Sequence, residues 1–313
     1  MTNHAVLSAS ASHRWLNCPP SVRLTERIPD NGSIYAAEGS EAHELCEFKL
    51  RQLLGMEAHN PLDTPIGLQY YDGTMEDAAT GYAAFVLELL EEIRKTCSDP
   101  IVMVEQKLDY SRWVKDGYGT GDAVIVADGT LHVVDFKYGT GVLVSAEGNS
   151  QMRLYALGAL DMFGELYDID TVVTTIYQPR LASISTDTIS RIDLLDWAEN
   201  TLRPLADQAY KGEGDLNAGS WCRFCKLRNT CRKRAEANLA MAKHDFKLPP
   251  TLSDEEIAVI LDKLDNLISW AGDVKEYALN AALHGTRFHG WKLVEGRSNR
   301  RYTDETAVAQ IQQ

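Results

Sequence analysis

The sequence predicts an α/β fold in which a mixed β-sheet is flanked by helices. Three observations carry that expectation. Helix-length segments and β-branched runs follow one another in the order helix, three strands, helix, strand. A chain of 313 residues can bury a full core as one large domain with an appendage. Two of the β-branched runs are joined by Ala127-Asp128-Gly129-Thr130, a hairpin signature.

In chain order, Ile34 to Leu54 reads as a helix, with Ala36, Ala37, His43, Leu45, Phe48, Leu50 and Leu53 interspersed among Glu and Lys. Glu76 to Lys95 is a second helix. Ile101–Glu105, Asp122–Val126 and Leu131–Asp135 are β-branched and read as strands. A helix from Ser150 to Phe163 follows, then strands at Thr171–Tyr177 and Ile184–Ile189, then helix from Leu194 to Tyr210. The runs Gly119–Gly121 and Gly139–Gly141 are too short for a phosphate-binding loop and read as turns. Past a Pro249-Pro250 linker, Ser253-Asp254-Glu255-Glu256 is a helix-opening box for a helix to about Leu283. Phe288–Val294 reads as β-like, and a last helix is expected near Thr303. The domain division expected is 1–235 and 236–313, the second part stopping inside that helix.

Composition narrows the classes of function. The longest apolar stretches are interrupted by charge, and no basic region followed by an apolar run opens the chain, so a cytoplasmic protein with no membrane partner is expected. A formal charge of −14 excludes a protein that coats nucleic acid electrostatically. Local charge differs: Arg223, Lys226, Arg228, Arg232, Lys233 and Arg234 occur between Trp221 and Ala235 without an acidic residue. This basic patch reads either as a track for a phosphate backbone or as a solvated helix face.

Cysteine usage points to metal. Cys222, Cys225 and Cys231 are spaced C-x2-C-x5-C, and thiolates are soft ligands suited to zinc or iron–sulfur clusters. Cys18, followed by Pro19 and Pro20, is the natural fourth ligand. The alternatives are a zinc knuckle borrowing His244 and three buried thiols without metal. Cys46 and Cys97 lie in apolar helical contexts, where a core thiol is the default.

A second constellation consists of charged residues on strands. Asp135 and Lys137 are two apart and share a face, about 6.6 Å apart along a strand, and antiparallel pairing can bring Asp122 beside Asp135. Such oxygen ligands suit Mg²⁺ or Mn²⁺, with a nearby ammonium to orient or activate a water. His43 and Glu47 lie at i and i+4 on one helix, Gln151 and Tyr155 at i and i+4 on another. Glu105, on a neighbouring strand, is read as structural or as a ligand to a second metal.

Taken together, Gly39-x3-His43, Gly121-Asp122, Asp135-Phe136-Lys137, Gln151-x3-Tyr155 and Cys18 with the distal cysteines resemble the RecB-like branch of the PD-(D/E)XK nuclease superfamily. The likeness is to its iron–sulfur members, such as AddB and the CRISPR-associated cluster nucleases, and covers roughly residues 8 to 235. The resemblance implies a restriction-endonuclease-like sheet. It implies that His43, Asp122, Asp135 and the Phe136 carbonyl hold the catalytic metal, that Lys137 positions the attacking water, that Gln151 lies against the phosphate or nucleophile, and that Tyr155 supports it or contacts DNA. It also implies a four-iron four-sulfur cluster on Cys18, Cys222, Cys225 and Cys231, stapling the two ends of the core, with zinc as the alternative.

The expected activity is therefore metal-dependent hydrolysis of DNA, as an exonuclease on ends or single strands in phage or prophage recombination or replication. A single-strand-binding or annealing protein is the expected protein partner. The competing reading is a non-catalytic, cluster- or zinc-stapled DNA-binding or assembly module. Polarity, endo- versus exonucleolytic mode and oligomeric state are not legible in the sequence.

Overall fold

The computed structural model describes residues 5–29, 32–242 and 253–294. Two compact units are found, Met1–Leu227 and Arg228–Gln313. His244, the Pro249-Pro250 linker and the predicted helix near Thr303 lie outside the described residues.

The first unit opens with two short helices, α1 (Ser12–Asn17) and α2 (Ser21–Thr25), and then α3 (Ile34–Leu53) and α4 (Gly73–Arg94). Ser33 caps α3 by accepting from the Ala36 N–H at 3.1 Å, and Asp72 caps α4 by accepting from the Met75 N–H at 2.8 Å. Strands β1 (Ile101–Asp109), β2 (Tyr118–Ala127) and β3 (Gly129–Phe136) follow, then α5 (Ser150–Phe163), β4 (Ile169–Gln178) and β5 (Ser183–Ser190). Helices α6 (Arg191–Trp197) and α7 (Arg203–Lys211) run on from each other through wider π-type turns over Ala198–Leu202.

The five strands form one sheet in the order β1-β2-β3-β4-β5. All neighbours are antiparallel except β3 and β4, which α5 joins as a parallel pair. Ala127 pairs with Thr130, so Asp128-Gly129 is a two-residue turn, and Gly129 takes φ 79°, a conformation glycine adopts without strain. Alternation along the central strands splits the core between two faces. Val124, Val126, Leu131 and Val133 pack toward α5, whereas Ala123, Ile125, Val134 and Phe136 pack toward α3 and α4. A sheet covered on both faces buries each such side chain almost completely, worth about 1.5–3 kcal/mol apiece.

Two expectations need correction. Gly119–Gly121 is not a turn but part of β2, where a Cβ on Gly119 would stand 2.6 Å from the Tyr155 ring and one on Gly121 2.9 Å from Leu108; the glycines make room for packing. Phe288–Val294 forms no strand. The chain turns there instead, Trp291 N–H donating to the Phe288 carbonyl at 3.1 Å, since a strand without a partner leaves its backbone groups unpaired.

The second unit holds α8 (Arg232–Ala242) and α9 (Asp254–Leu283). The expected capping box opens α9: Ser253 Oγ accepts from Glu256 N–H and Glu256 returns the bond to the Ser253 N–H at 2.9 Å. The boundary falls at Leu227–Arg228 rather than after residue 235. Arg228 and Arg234 both reach Asp273 on α9, so the segment before α8 folds with the helices that follow it. No helix among the described residues is long and apolar enough to cross a membrane.

Candidate active site

The charged cluster sits where β2 and β3 end their pairing, between α3 and the first turn of α5. The ladder stops at Ala123 and Val134, and the next residues, Asp122 and Asp135, are 8% and 2% exposed. Buried carboxylates need partners, and each here has a different set. Asp122 Oδ2 accepts the Phe136 backbone N–H at 2.7 Å, and its Oδ1 lies 3.4 Å from His43 Nδ1. Asp135 Oδ2 lies 2.8 Å from Lys137 Nζ, and its Oδ1 accepts from Gln151 Nε2 at 3.0 Å.

The shared face predicted for Asp135 and Lys137 is thus present. Lys137 also donates to Gln151 Oε1 at 3.3 Å, and Gln151 Nε2 reaches the Tyr155 hydroxyl at 3.2 Å. One amide therefore links the carboxylate, the ammonium and the phenol. Asn149 holds that amide's helix in place, accepting from the Gln151 and Met152 N–H groups as the N-cap of α5. Tyr155 is buried against Gly119, so its ring packs in the core while its hydroxyl serves the site.

The three-dimensional arrangement promotes a residue that sequence reasoning left at the margin. Donor atoms of His43, Glu105 and Asp122 all lie within 4.8 Å of one another. Glu105 sits on β1 with φ 53°, a left-handed conformation that costs a non-glycine residue about 1–3 kcal/mol and recurs where function demands it. The strand register skips it: Val104 pairs with Ala123 and Gln106 with Gly121, while Glu105 breaks the ladder opposite Asp122. The signal available in the sequence was only an acid within a β-branched run. Asp135, expected among the metal ligands, is not part of this donor triad; its tight contacts are with Lys137 and Gln151. Phe136 is fully buried, its ring edge-on to His43 at 5.4 Å. Glu47 pairs with Arg51 at 2.8 Å rather than with the cluster.

Electrostatics follow from three carboxylates enclosed beside one ammonium and one imidazole. Burial disfavours the His43 cation, but Asp122 and Asp135 outweigh it and carry its pKa up to about 9. Glu105 rises to about 7, through burial and then repulsion from Asp122. Burial pushes Asp135 up, while Asp122 ends below the usual range because His43 and Lys137 overcome its own burial. Lys137 is held protonated by Asp135 and Asp122 despite burial. Without another cation His43, Glu105, Asp135 and Lys137 hold their protons to higher pH than usual, while Asp122 stays ionised. That property, with the clustered imidazole and carboxylate donors, fits a hard divalent cation.

The cysteine segment is divided between the two units. Cys18, Cys222 and Cys225 are buried in the first, and Cys231, half-buried, opens the second. Within the first unit Asn217 Nδ2 donates to the Asn17 carbonyl at 3.0 Å, and His13 meets Trp221 edge-on at 5.7 Å. Contacts about two hundred residues apart in sequence therefore flank Cys18 and Cys222. Cys46 and Cys97 are buried, as core thiols.

The basic patch does not survive intact. Arg223, Lys226, Arg232 and Lys233 are exposed, but Arg234 is 4% exposed, pairs with Asp273 and donates to the Arg228 carbonyl at 3.0 Å. Arg228 shares Asp273 at 3.2 Å. A guanidinium buried against a carboxylate is a structural element of its own unit, not an open phosphate site.

Fold and site together define an α/β protein whose five-stranded mixed sheet carries a buried carboxylate–histidine–lysine cluster where β2 and β3 part. The chain belongs to the family described as "Protein of unknown function (DUF2800)", whose model matches residues 4–313. Among solved structures it is similar to one titled "Crystal structure of SSO0001", at 12% identity over 71% of this chain and 96% of that chain, with a TM-score of 0.28. That likeness is too slight to bear on fold or activity.

Proposed function

We propose that this chain is a metal-dependent DNA nuclease of the RecB-like PD-(D/E)XK type, hydrolysing phosphodiester bonds at ends or in single strands. The observation that carries the reading is the joining of the His43–Glu105–Asp122 donor triad to the Asp135–Lys137–Gln151 network where β2 and β3 part. His43, Glu105 and Asp122 would hold Mg²⁺ or Mn²⁺, with Asp135 and the Phe136 carbonyl as the further ligands the resemblance implies. A bound divalent cation supplies Lewis acidity at the phosphate and lowers the pKa of its water.

The chain's own residues do the rest. Lys137, kept protonated by two carboxylates, presents a fixed donor to orient the attacking water and to face the developing negative charge on the phosphate. Gln151 fixes the separation between Lys137 and Asp135 by binding both, and Tyr155 fixes Gln151. Held protonated in this way despite its burial, Lys137 serves as a positioning and electrostatic group rather than as a base. The four-iron four-sulfur cluster on Cys18, Cys222, Cys225 and Cys231 belongs to the same proposal, supported by thiol type and spacing, with zinc as the alternative. The exposed Arg223, Lys226, Arg232 and Lys233 would supply contacts to the DNA backbone, which carry no sequence information.

The test is incubation of anaerobically purified protein with end-labelled single- and double-stranded DNA, with Mn²⁺ or Mg²⁺ and with chelator. Cleavage that requires the cation is expected. Binding without cleavage under every cation condition would instead support the non-catalytic module. Iron and sulfide in stoichiometric amount, with broad absorbance near ~400 nm, are expected of a four-cysteine cluster; zinc alone would replace the cluster with a structural metal.

A further inference from the structure

The segment around the first two distal cysteines is packed beside the candidate site by two independent routes. From the Lys137 side, Arg223 Nη2 donates to the carbonyl of Gly141 at 3.2 Å, in the loop that leaves β3 just after Lys137. From the Gln151 side, Ser150 and Ser12 share a hydroxyl hydrogen bond at 2.6 Å. The next residue, His13, then lies 3.4 Å from Ser220 Oγ and packs edge-on against Trp221. The turn Ser220–Phe224 is thereby anchored at both ends of the β3–α5 connection.

This anchored turn presents an aromatic ring to solvent: Phe224 is 73% exposed while the residues on either side of its turn are fixed. The Arg223 guanidinium lies 6.0 Å from the Phe224 ring centroid, and Lys226 follows two residues on, exposed and donating to the Ile28 carbonyl at 3.0 Å. An apolar face flanked by cations matches one chemistry closely, an unpaired nucleobase with its phosphates. A duplex keeps its bases stacked inside and offers such a ring nothing but backbone.

We propose that Phe224 is a base-stacking platform which, with Arg223 beside it, receives single-stranded DNA at the rim of the site. The inference rests on the nuclease reading for the purpose of the strand but not for the stacking itself. It makes single strands, or the frayed ends of duplexes, the substrate form the site takes. Every base has a stacking face, so the platform confers strand preference without sequence preference.

Fluorescence anisotropy with a labelled mixed-sequence oligonucleotide in chelator, single-stranded or annealed, tests this directly. Phe224→Ala is expected to weaken single-strand binding about tenfold, the loss of one base–aromatic stack at 1–3 kcal/mol, and to leave duplex binding unchanged. Phe224→Trp should restore it. Unchanged single-strand affinity in Phe224→Ala, equal loss on both DNA forms, or a wild-type protein that binds no single strands would each overturn the platform. Cleavage of the same oligonucleotide with Mn²⁺ is scored separately: intact binding with no cleavage sinks the nuclease and leaves the platform standing.

Discussion

Two clusters of charge, one in each unit, are built on opposite majorities, carboxylates in the first and guanidiniums in the second. Where β2 and β3 part, His43, Glu105, Asp122, Asp135 and Lys137 are gathered with carboxylates in excess, and the pKa values of Glu105 and His43 are raised to about 7 and about 9. In the second unit Arg228 and Arg234 both meet Asp273, with Ser269 in reach of Arg234. The first crowds three carboxylates around an imidazole and an ammonium and has room in its chemistry for a further cation; in the second one carboxylate is held by two guanidiniums, which ties α8 to α9. Crowded buried carboxylates mark a candidate site, whereas a carboxylate engaged on both oxygens by guanidiniums marks a joint.

The comparison is broken most severely at the first cluster. Asp135→Asn or Lys137→Ala should reduce cation-dependent DNA cleavage by about a hundredfold or more, the scale expected when a transition-state contact is removed. Thermal melting should stay close to wild type for Asp135→Asn. Undiminished cleavage by either variant means that the carboxylate-rich cluster is not a catalytic centre.

The Asp273 cluster predicts the reverse pattern. Arg234→Ala removes the buried guanidinium from Asp273 and leaves Arg228 as its partner, so it should destabilise the α8–α9 pair by about 1.5–3 kcal/mol, the worth of a hydrogen bond to a charged group, while cation-dependent cleavage per folded molecule is retained. Amide exchange along Asp254–Leu283 measures the loss. Wild-type protection in that helix would show that the pair contributes nothing to the joint.

Proton linkage sharpens the contrast further. Glu105 and His43 have folded-state values raised to about 7 and about 9, so each contributes stability that is fully present below its ordinary value and lost as pH rises through the raised one. Metal-free protein should therefore weaken progressively between about pH 4.5 and about pH 9. A cation must displace the same protons, so Mn²⁺ affinity should climb over the upper part of that window, from about pH 7 to about pH 9, with protons released on binding. Calorimetric titration in two buffers of different ionisation enthalpy checks this. Proton-neutral binding at pH 7.5, a setting chosen between the two values, would remove His43 from the ligand set.

The smallest effect is expected at the exposed remainder of the basic patch. Neutralising Arg232 and Lys233 should lower the slope of log affinity against log salt by about 0.7 per phosphate contact for single strands, without altering cleavage at low salt. A salt slope equal to wild type would make both residues part of a solvated helix face.

The sequence alone determined much of this protein. The period-2 and period-3.6 patterns placed the helix Ser150–Phe163 at its observed ends and the other main elements close to theirs, because local propensity and the burial pattern agree there. The Asp128-Gly129 turn fixed the hairpin, and hairpin register with strand alternation placed Asp122 next to Asp135 and Asp135 next to Lys137. Those are short-range consequences of backbone geometry, so they are readable without a fold.

Only the tertiary structure could decide what came from far apart in the chain. Glu105 joins His43 and Asp122 because β1 pairs with β2 while α3 crosses the sheet at that point, and no spacing encodes that meeting. Arg234 looked like its basic neighbours Arg232 and Lys233 until the α8–α9 contact turned it inward to Asp273. The glycines at 119 and 121 read as a turn until Tyr155 and Leu108 were seen to need their space. In each case the deciding quantity is burial against a distant partner, which sets the energy of a charge or a methyl group far more strongly than the identity of its neighbours in sequence.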